Sequence, residues 1–148
     1  MRGYGRILVP LDLSDMNRRI LDAAVRVVGE GGELHLLHVV EWLPSVTEST
    51  FGVYAHRKDI DKIKAAAAQK LAVVARAHAP IKCEIHVHEG KPAATILEAA
   101  AELRPDLVVM GTHSRSRLDQ FLVGSVAEKV LRKVESSVLL VRFGRDAD

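Results

Sequence analysis

Short apolar runs alternate along the chain with longer stretches in which apolar residues recur at helical spacing. The runs 7–11, 34–40 and 107–110 are almost continuously apolar, which is typical of strands buried on both faces of a parallel sheet. Segment 81–88 instead alternates apolar and polar residues, as a half-exposed strand does. With the apolar run 138–141, the pattern predicts five strands.

Between these strands, apolar residues recur at the spacing that is typical of helices. Ser14 and Asp15 are good helix caps, and the apolar stripe that follows stops at Gly29, Gly31 and Gly32. Pro92 marks the first turn of another helix, because proline fits that position. The predicted helices are one after Asp15 with the stripe Ile20, Leu21, Ala24, Val25 and Val28, one over 59–79, one from Pro92 with Ile96, Leu97, Ala100 and Leu103, and one over 126–134.

The order βαβαβαβαβ predicts an α/β fold in which helices cover both faces of a parallel sheet. A chain of 148 residues is long enough for one well-buried core and too short for two ordinary domains, so we expect a single domain. Residues 41–58 contain Pro44 and Gly52 and lack periodicity. We interpret them as a long loop, either a lid or binding loop or an insertion without function.

Candidate binding residues collect at the carboxyl ends of the predicted strands, where open α/β sheets bind ligands. The segment GTHSRSRLDQFLVGS, residues 111–125, follows the fourth strand with glycines, hydroxyls and two arginines. Ser125 and Glu128 match a capping box at the start of the last helix, whose N-terminus attracts anions. Gly111 and Gly124 would let a phosphate approach the backbone. Capped helices and turn glycines are also ordinary features of α/β domains, so both interpretations stay open on spacing alone.

Composition excludes several classes of protein. The chain is 48% hydrophobic and 27% charged, with a formal charge of +2 from largely interspersed residues, which argues against disorder and nucleic-acid binding. The single cysteine, Cys83, cannot form an internal disulfide and is interpreted as a strand residue. The apolar run near the N-terminus ends at Asp12, too early for a signal peptide or a membrane span. We therefore expect a cytoplasmic protein that does not bind membranes.

The histidines give weak signals. His86 and His88 point to one face of a strand, but no third ligand is evident, and zinc sites usually have three or four protein ligands. We therefore predict no metal site. His35 and His38 lie on opposite faces of the second strand and are interpreted as packed or surface residues. His113, in the candidate phosphate loop, is given a binding or structural role because no carboxylate partner is near it in sequence.

Three separated motifs resemble the universal stress protein family: ILVPLDLSD at the first strand, LLHVV at the second, and VVMGTHSRSRLDQFLVGSVAEKVLRKVESSVLLV at the end. The resemblance extends over about residues 6–142 and implies a flavodoxin-like sheet of strand order 3-2-1-4-5. Nucleotide-binding members carry G-x-x-G, nine residues, then G-[ST]. This chain keeps the spacing with Gly111 and Gly124-Ser125 and has Ser114 in place of the second glycine.

The resemblance implies a site for ATP or another adenine nucleotide, with or without Mg²⁺. Asp12, with Pro10 and Leu11, would border the adenosine. The Val39 backbone would face the adenine. Met110, Gly111 and His113 would line the nucleoside side. The phosphates would be bound by Ser114, Gly124, Ser125 and Val126, and Arg115 or Arg117 would add charge-assisted hydrogen bonds.

We favour a binding protein over an enzyme and assign no catalytic residue, because the chain has no Walker-type phosphate loop and no nucleophile elbow. The function expected is that of an adenine-nucleotide-binding stress-response or signalling module. The alternatives are an interaction protein of the same fold that needs no nucleotide, and a slow ATPase acting through Asp12 and Mg²⁺.

The last strand is apolar and by resemblance lies at the sheet edge, which predicts a homodimer through Val138, Leu139, Leu140, Val141 and Arg142.

Overall fold

The computed structural model describes residues 2–14, 17–41, 50–112 and 123–142, except for the side chains of residues 50–56. Within these residues, five strands and four helices alternate. They are β1 (Tyr4–Pro10), α1 (Asn17–Val27), β2 (Val28–Val40), α2 (Thr50–Ala77), β3 (Lys82–Glu89), α3 (Pro92–Leu103), β4 (Leu107–Gly111), α4 (Ser125–Lys133) and β5 (Ser137–Val141).

All five strands are parallel and form one sheet of order β3-β2-β1-β4-β5. The predicted α/β class and strand order are therefore confirmed. The central strands are fully buried at Ile7, Leu8 and Val9 of β1 and at Val108 and Val109 of β4, as their unbroken apolar runs predict.

Two apolar layers form the core, one on each face of the sheet. Leu34 and Leu36 of β2 pack with Ile20 and Leu21 of α1 and with Leu71 of α2. On the other face, Leu37 and Val108 pack with Ile96 of α3 and with Ala127 and Val130 of α4. Because successive strand residues point to opposite faces, β1, β2, β4 and β5 contribute to both layers, whereas β3 contributes only to the first, through Cys83 and Val87. No helix among the described residues has the length and apolar character needed to cross a membrane.

Two element boundaries differ from the sequence prediction by six residues or more. Helix α2 begins at Thr50 rather than at residue 59, so residues 50–58 are helical and do not belong to the predicted loop. Arg57 explains part of the difference, because its guanidinium donates two hydrogen bonds of 2.7 Å to the Glu89 carboxylate at the end of β3. This contact is remote in sequence, and Gly52 further weakens the local helical signal.

Strand β2 begins at Val28 rather than at residue 34, so the glycines expected to follow α1 are part of the strand. Its pairing with β1 is irregular between Tyr4 and Arg6 of β1, where Val28 and then Glu33 are the partners. Gly31 lies there with φ +72°, in a conformation that glycine adopts without steric cost. A bulged start of this kind has no alternating pattern that sequence analysis could detect.

Candidate functional site

The carboxyl ends of β1, β2 and β4 and the first turn of α4 surround a cavity of about 540 Å³. This volume lies within the range of about 300–1,000 Å³ that small-molecule sites usually have. The described residues that line it are Pro10, Leu11, Asp12, Ile20, Leu37, His38, Val39, Glu41, Pro92, Met110, Gly111, Thr112, Gly124, Ser125, Val126 and Ala127.

The turn after β1 presents Asp12 to the cavity. Its Oδ1 accepts a hydrogen bond of 2.9 Å from the Ser14 N–H, two residues further along the chain. Leu13 between them has φ +62°, a left-handed conformation that L-residues rarely adopt. The Asp12 carboxylate therefore stabilises a strained turn at the rim of the cavity, and backbone strain of this kind is common at functional sites.

The end of β2 is joined to the same turn. The Leu11 N–H donates to the Leu37 carbonyl oxygen at 2.8 Å, and His38 Nδ1 lies 2.7 Å from the Leu11 carbonyl oxygen. Since that oxygen can only accept, Nδ1 of His38 carries the proton. His38 was not among the predicted site residues, because its partner is a backbone atom of the turn after β1, which is remote in sequence. Its position next to Val39 at a strand end is the signal that could have identified it.

The start of α4 is held against the end of β4. Gly124 donates its N–H to the Thr112 carbonyl oxygen at 2.6 Å, and Thr112 donates to the Val141 carbonyl oxygen at 3.2 Å. The first intrahelical hydrogen bond runs from the Glu128 N–H to the Gly124 carbonyl oxygen at 2.9 Å. The N–H groups of the preceding first turn therefore point out of the helix beside the cavity.

The predicted capping box at this helix is wrong. Gly124 occupies the cap position, and Ser125 is the first helical residue. The Glu128 carboxylate does not reach back to the cap. It accepts a hydrogen bond of 2.8 Å from Arg132 Nη2, one turn further on, because residues four apart face each other on a helix. A glycine cap leaves the first turn without a side chain over its N–H groups, so the anion-attracting end is more open than predicted.

Nine of the predicted site residues lie around this cavity, and three lie outside the described residues. The nine are Pro10, Leu11, Asp12, Val39, Met110, Gly111, Gly124, Ser125 and Val126; the three are His113, Ser114 and Arg115. The lining residues to which no individual role was predicted are Ile20, Leu37, His38, Glu41, Pro92, Thr112 and Ala127, of which Thr112 lies within the candidate segment 111–125. Most of these reach the cavity through tertiary packing, whereas Glu41 and Thr112 directly follow strands and carry the same sequence signal as Asp12.

The described lining combines an apolar wall with two carboxylates, Asp12 and Glu41, and includes no lysine or arginine. Apolar side chains of this kind pack against a flat ring, while carboxylates accept hydrogen bonds from hydroxyl groups or bind Mg²⁺. The polar N–H groups lie at the start of α4. Within the described part of the chain, the cavity is therefore suited to a ligand with an aromatic portion, hydroxyl groups and an anionic end.

A sequence model of the universal stress protein family matches residues 3–142. The chain belongs to the universal stress protein family. Among its relatives, universal stress protein YxiE of Bacillus subtilis is 34% identical over 147 residues, covering 94% of this chain and 99% of that protein. A universal stress protein of Methanocaldococcus jannaschii is 30% identical over 140 residues, covering 94% of this chain and 82% of that protein.

Solved structures of other universal stress proteins share the fold. Universal stress protein UspA of Lactobacillus plantarum superposes with a TM-score of 0.80 at 23% identity, covering 96% of this chain and 100% of that one. A universal stress protein in complex with cAMP superposes with a TM-score of 0.63 at 24% identity, covering 95% of this chain and 98% of that one. At these identities the likeness establishes the architecture of this universal stress protein.

Proposed function

We propose that this universal stress protein binds an adenine nucleotide in the cavity at the carboxyl edge of its sheet and acts as a stress-response or signalling module. The observation that carries the proposal is the meeting of an apolar wall with the glycine-capped start of α4 around one cavity of about 540 Å³. Such a cavity offers each part of a nucleotide a chemically suitable surface.

The adenosine would lie against Pro10, Leu11, Val39 and Met110, with the Asp12 carboxylate accepting from ribose hydroxyls. The phosphates would face the first-turn N–H groups of α4, around Gly124, Ser125 and Val126. Gly111 would permit close approach from the end of β4. The relative solved with cAMP supports an adenine nucleotide as the ligand class.

Positive charge for the phosphates would come from outside the described residues or from Mg²⁺. The family resemblance assigns His113 and Ser114 to the ligand, and Arg115 or Arg117 would add charge-assisted hydrogen bonds; all four belong to the segment 113–122 that the structure does not describe. Asp12 and Glu41 add negative charge to the described lining. We therefore expect Mg²⁺ to strengthen the binding of ATP more than that of AMP, which carries fewer phosphate charges.

The test is to heat-denature the purified protein, identify any released nucleotide, and then titrate the nucleotide-free chain with ATP, ADP, AMP and cAMP, with and without Mg²⁺. We expect saturable binding of at least one adenine nucleotide and no comparable binding of UTP. Absence of released nucleotide together with absence of saturable binding at millimolar concentration would show an interaction protein that needs no nucleotide. ATP turnover lost in Asp12→Ala would establish the slow ATPase instead.

We also propose that the protein acts as a homodimer through β5. This strand is the last on its edge of the sheet, and its residues Val138–Val141 are only partly buried. Edge strands with apolar side chains favour pairing with another chain, and Arg142 directly follows. Light scattering should give twice the chain mass of 16.2 kDa; a monomer over the whole accessible concentration range would contradict the proposal.

A further inference from the structure

Three side chains with metal-binding atoms converge where β2 and β3 run side by side. His35 and Glu84 are partners in the register of this parallel pair, and His86 lies two residues beyond Glu84 and so on the same face of the strand. None of the three is among the residues that line the nucleotide cavity. The cluster is therefore a separate feature of the sheet.

The distances within this cluster suit a shared ligand. His35 Nδ1 lies 2.9 Å from His86 Nε2 and 3.6 Å from Glu84 Oε2. One ligand atom from each residue lies within 4.8 Å of the other two. His35 is only 3% exposed, while the Glu84 side chain is 44% exposed. An ion would thus enter from the solvent side and reach a buried imidazole.

A fourth residue orients the buried histidine. His35 Nε2 lies 3.0 Å from Glu33 Oε1, and the Glu33 carboxylate also accepts from Lys82 Nζ and from Arg6 Nε, each at 2.7 Å. These two cations favour the ionised, acceptor-only form of Glu33, so the proton of His35 is held on Nε2. The lone pair of Nδ1 then points toward His86 and Glu84. A histidine that binds a metal usually donates its other ring N–H to a carboxylate, a backbone carbonyl or water, and Glu33 is a partner of this kind.

Without an ion, the short contact between the imidazoles is a hydrogen bond that His86 Nε2–H donates to His35 Nδ1. A metal ion can replace that proton if His86 carries its proton on Nδ1 instead. With Zn–N bonds of about 2.0–2.1 Å and tetrahedral angles, the two nitrogens would lie about 3.3 Å apart. The observed 2.9 Å requires only a small side-chain movement to reach that separation.

We propose that His35, His86 and Glu84 form a binding site for Zn²⁺, with Glu33 as the residue that positions His35. Two imidazoles and one carboxylate supply three protein ligands, and water completes the coordination on the exposed side. Glu84 would bind through Oε2, because its Oε1 lies 3.1 Å from Lys82 Nζ. Lys82 therefore competes with the ion for the Glu84 carboxylate.

The test is a calorimetric titration of Zn²⁺ into full-length protein that carries no histidine tag and has been stripped with a chelator. We expect one ion per chain. His35 is buried, so its replacement could prevent folding; His86→Gln and Glu84→Gln change more exposed side chains. Loss of a residue that supports a metal ligand typically weakens binding about 10–100-fold, and these two variants should weaken it by at least that much.

His78→Gln is the matched control, because His78 Nδ1 contacts the Val74 carbonyl oxygen within α2, outside the cluster. It should bind Zn²⁺ as the wild type does. Lys82→Met should bind more tightly, since Glu84 loses its competing cation while Arg6 still favours the ionised form of Glu33. Wild-type protein that binds no stoichiometric Zn²⁺, or His86→Gln that binds unchanged, would overturn the proposal.

Replacing Zn²⁺ by Co²⁺ distinguishes nitrogen and oxygen ligands from a thiolate ligand. Nitrogen and oxygen ligands give visible absorption without a thiolate charge-transfer band, which is the spectrum we expect. A thiolate band would assign the ion to Cys83, whose side chain alternates to the other face of β3, and would also overturn the proposal.

Discussion

The Gly124 N–H donates to the Thr112 carbonyl oxygen across 2.6 Å, which fixes the start of α4 beside the end of β4. These residues stand near the two ends of the segment GTHSRSRLDQFLVGS. Gly111 and Gly124, which are separated by twelve residues in sequence, therefore line one cavity. The phosphate interpretation of this segment depends on that contact, because each glycine alone is an ordinary turn residue.

Ser125→Asp tests whether the start of α4 faces phosphate. A carboxylate in the first turn stabilises a helix by about 0.3–1 kcal/mol, so the melting temperature should not fall. The same charge beside a phosphate is repulsive by several kcal/mol when the two are juxtaposed. We expect ATP affinity, measured by calorimetry, to fall at least tenfold, which corresponds to about 1.4 kcal/mol.

Ser137→Asp is the control for added charge, because Ser137 is exposed and is the first residue of β5, whereas the cavity lies at the carboxyl edge of the sheet. It should leave ATP affinity unchanged. If Ser125→Asp binds ATP as tightly as the wild type, the phosphates do not lie at the start of α4.

Ser114→Gly tests the one departure from the family pattern. If the backbone at this position is left-handed when nucleotide binds, a serine costs about 1 kcal/mol relative to glycine. Replacement by glycine should then tighten ATP binding about fivefold. Ser116→Gly adds the same flexibility two residues away and should give no gain. Weaker binding by Ser114→Gly would instead identify the serine hydroxyl as a phosphate donor.

Features that depend on local pattern could be predicted from the sequence. Four of the strands follow from apolar runs and β3 follows from its alternating pattern, and Asp12 and Gly111 were located because they directly follow apolar runs. The early start of α2 was missed because the Arg57–Glu89 contact joins distant segments. The cluster of His35, Glu84 and His86 was missed for a similar reason, since only the register between β2 and β3 brings His35 beside Glu84 and His86.

Asp12→Ala and Asp12→Asn separate the structural role of Asp12 from its proposed contact with the ligand. Alanine removes the acceptor of the Ser14 N–H, a hydrogen bond whose loss typically costs about 0.5–1.5 kcal/mol of unfolding free energy. Asparagine keeps an acceptor oxygen and should cost less than alanine, as urea denaturation can measure. Because asparagine is uncharged, its hydrogen bonds to ribose hydroxyls weaken, and we expect nucleotide affinity to fall about fivefold, or about 1 kcal/mol.

Asp22→Asn, on α1, is the control for removal of an aspartate charge, because Asp22 is exposed and does not line the cavity. Its nucleotide affinity should match that of the wild type. Equal affinity in Asp12→Asn and wild type would limit Asp12 to shaping the turn.

Glu89→Gln tests the ion pair that anchors α2 to the end of β3. The Arg57 guanidinium, through its hydrogen bonds, holds the pKa of Glu89 below its ordinary value of 4.5. A carboxyl group whose pKa is lower in the folded state stabilises the fold above its unfolded pKa and loses that contribution as pH falls through the folded pKa. The variant should therefore be less stable than the wild type at pH 7, and the difference should shrink below about pH 4.5.

Chemical denaturation of both proteins from pH 7 to pH 3 measures this difference directly. Glu98→Gln removes an exposed carboxylate on α3 and so controls for the loss of one charge. Its difference in unfolding free energy from the wild type should not shrink in the same way as the pH falls. Because the pair is solvent-exposed, high salt should also reduce the effect of Glu89→Gln.

In a double-mutant cycle, Arg57→Gln should cost little once Glu89 is already glutamine. If Arg57→Gln lowers the stability of the Glu89→Gln variant as much as it lowers that of the wild type, the two side chains act independently. The start of α2 then depends on other contacts.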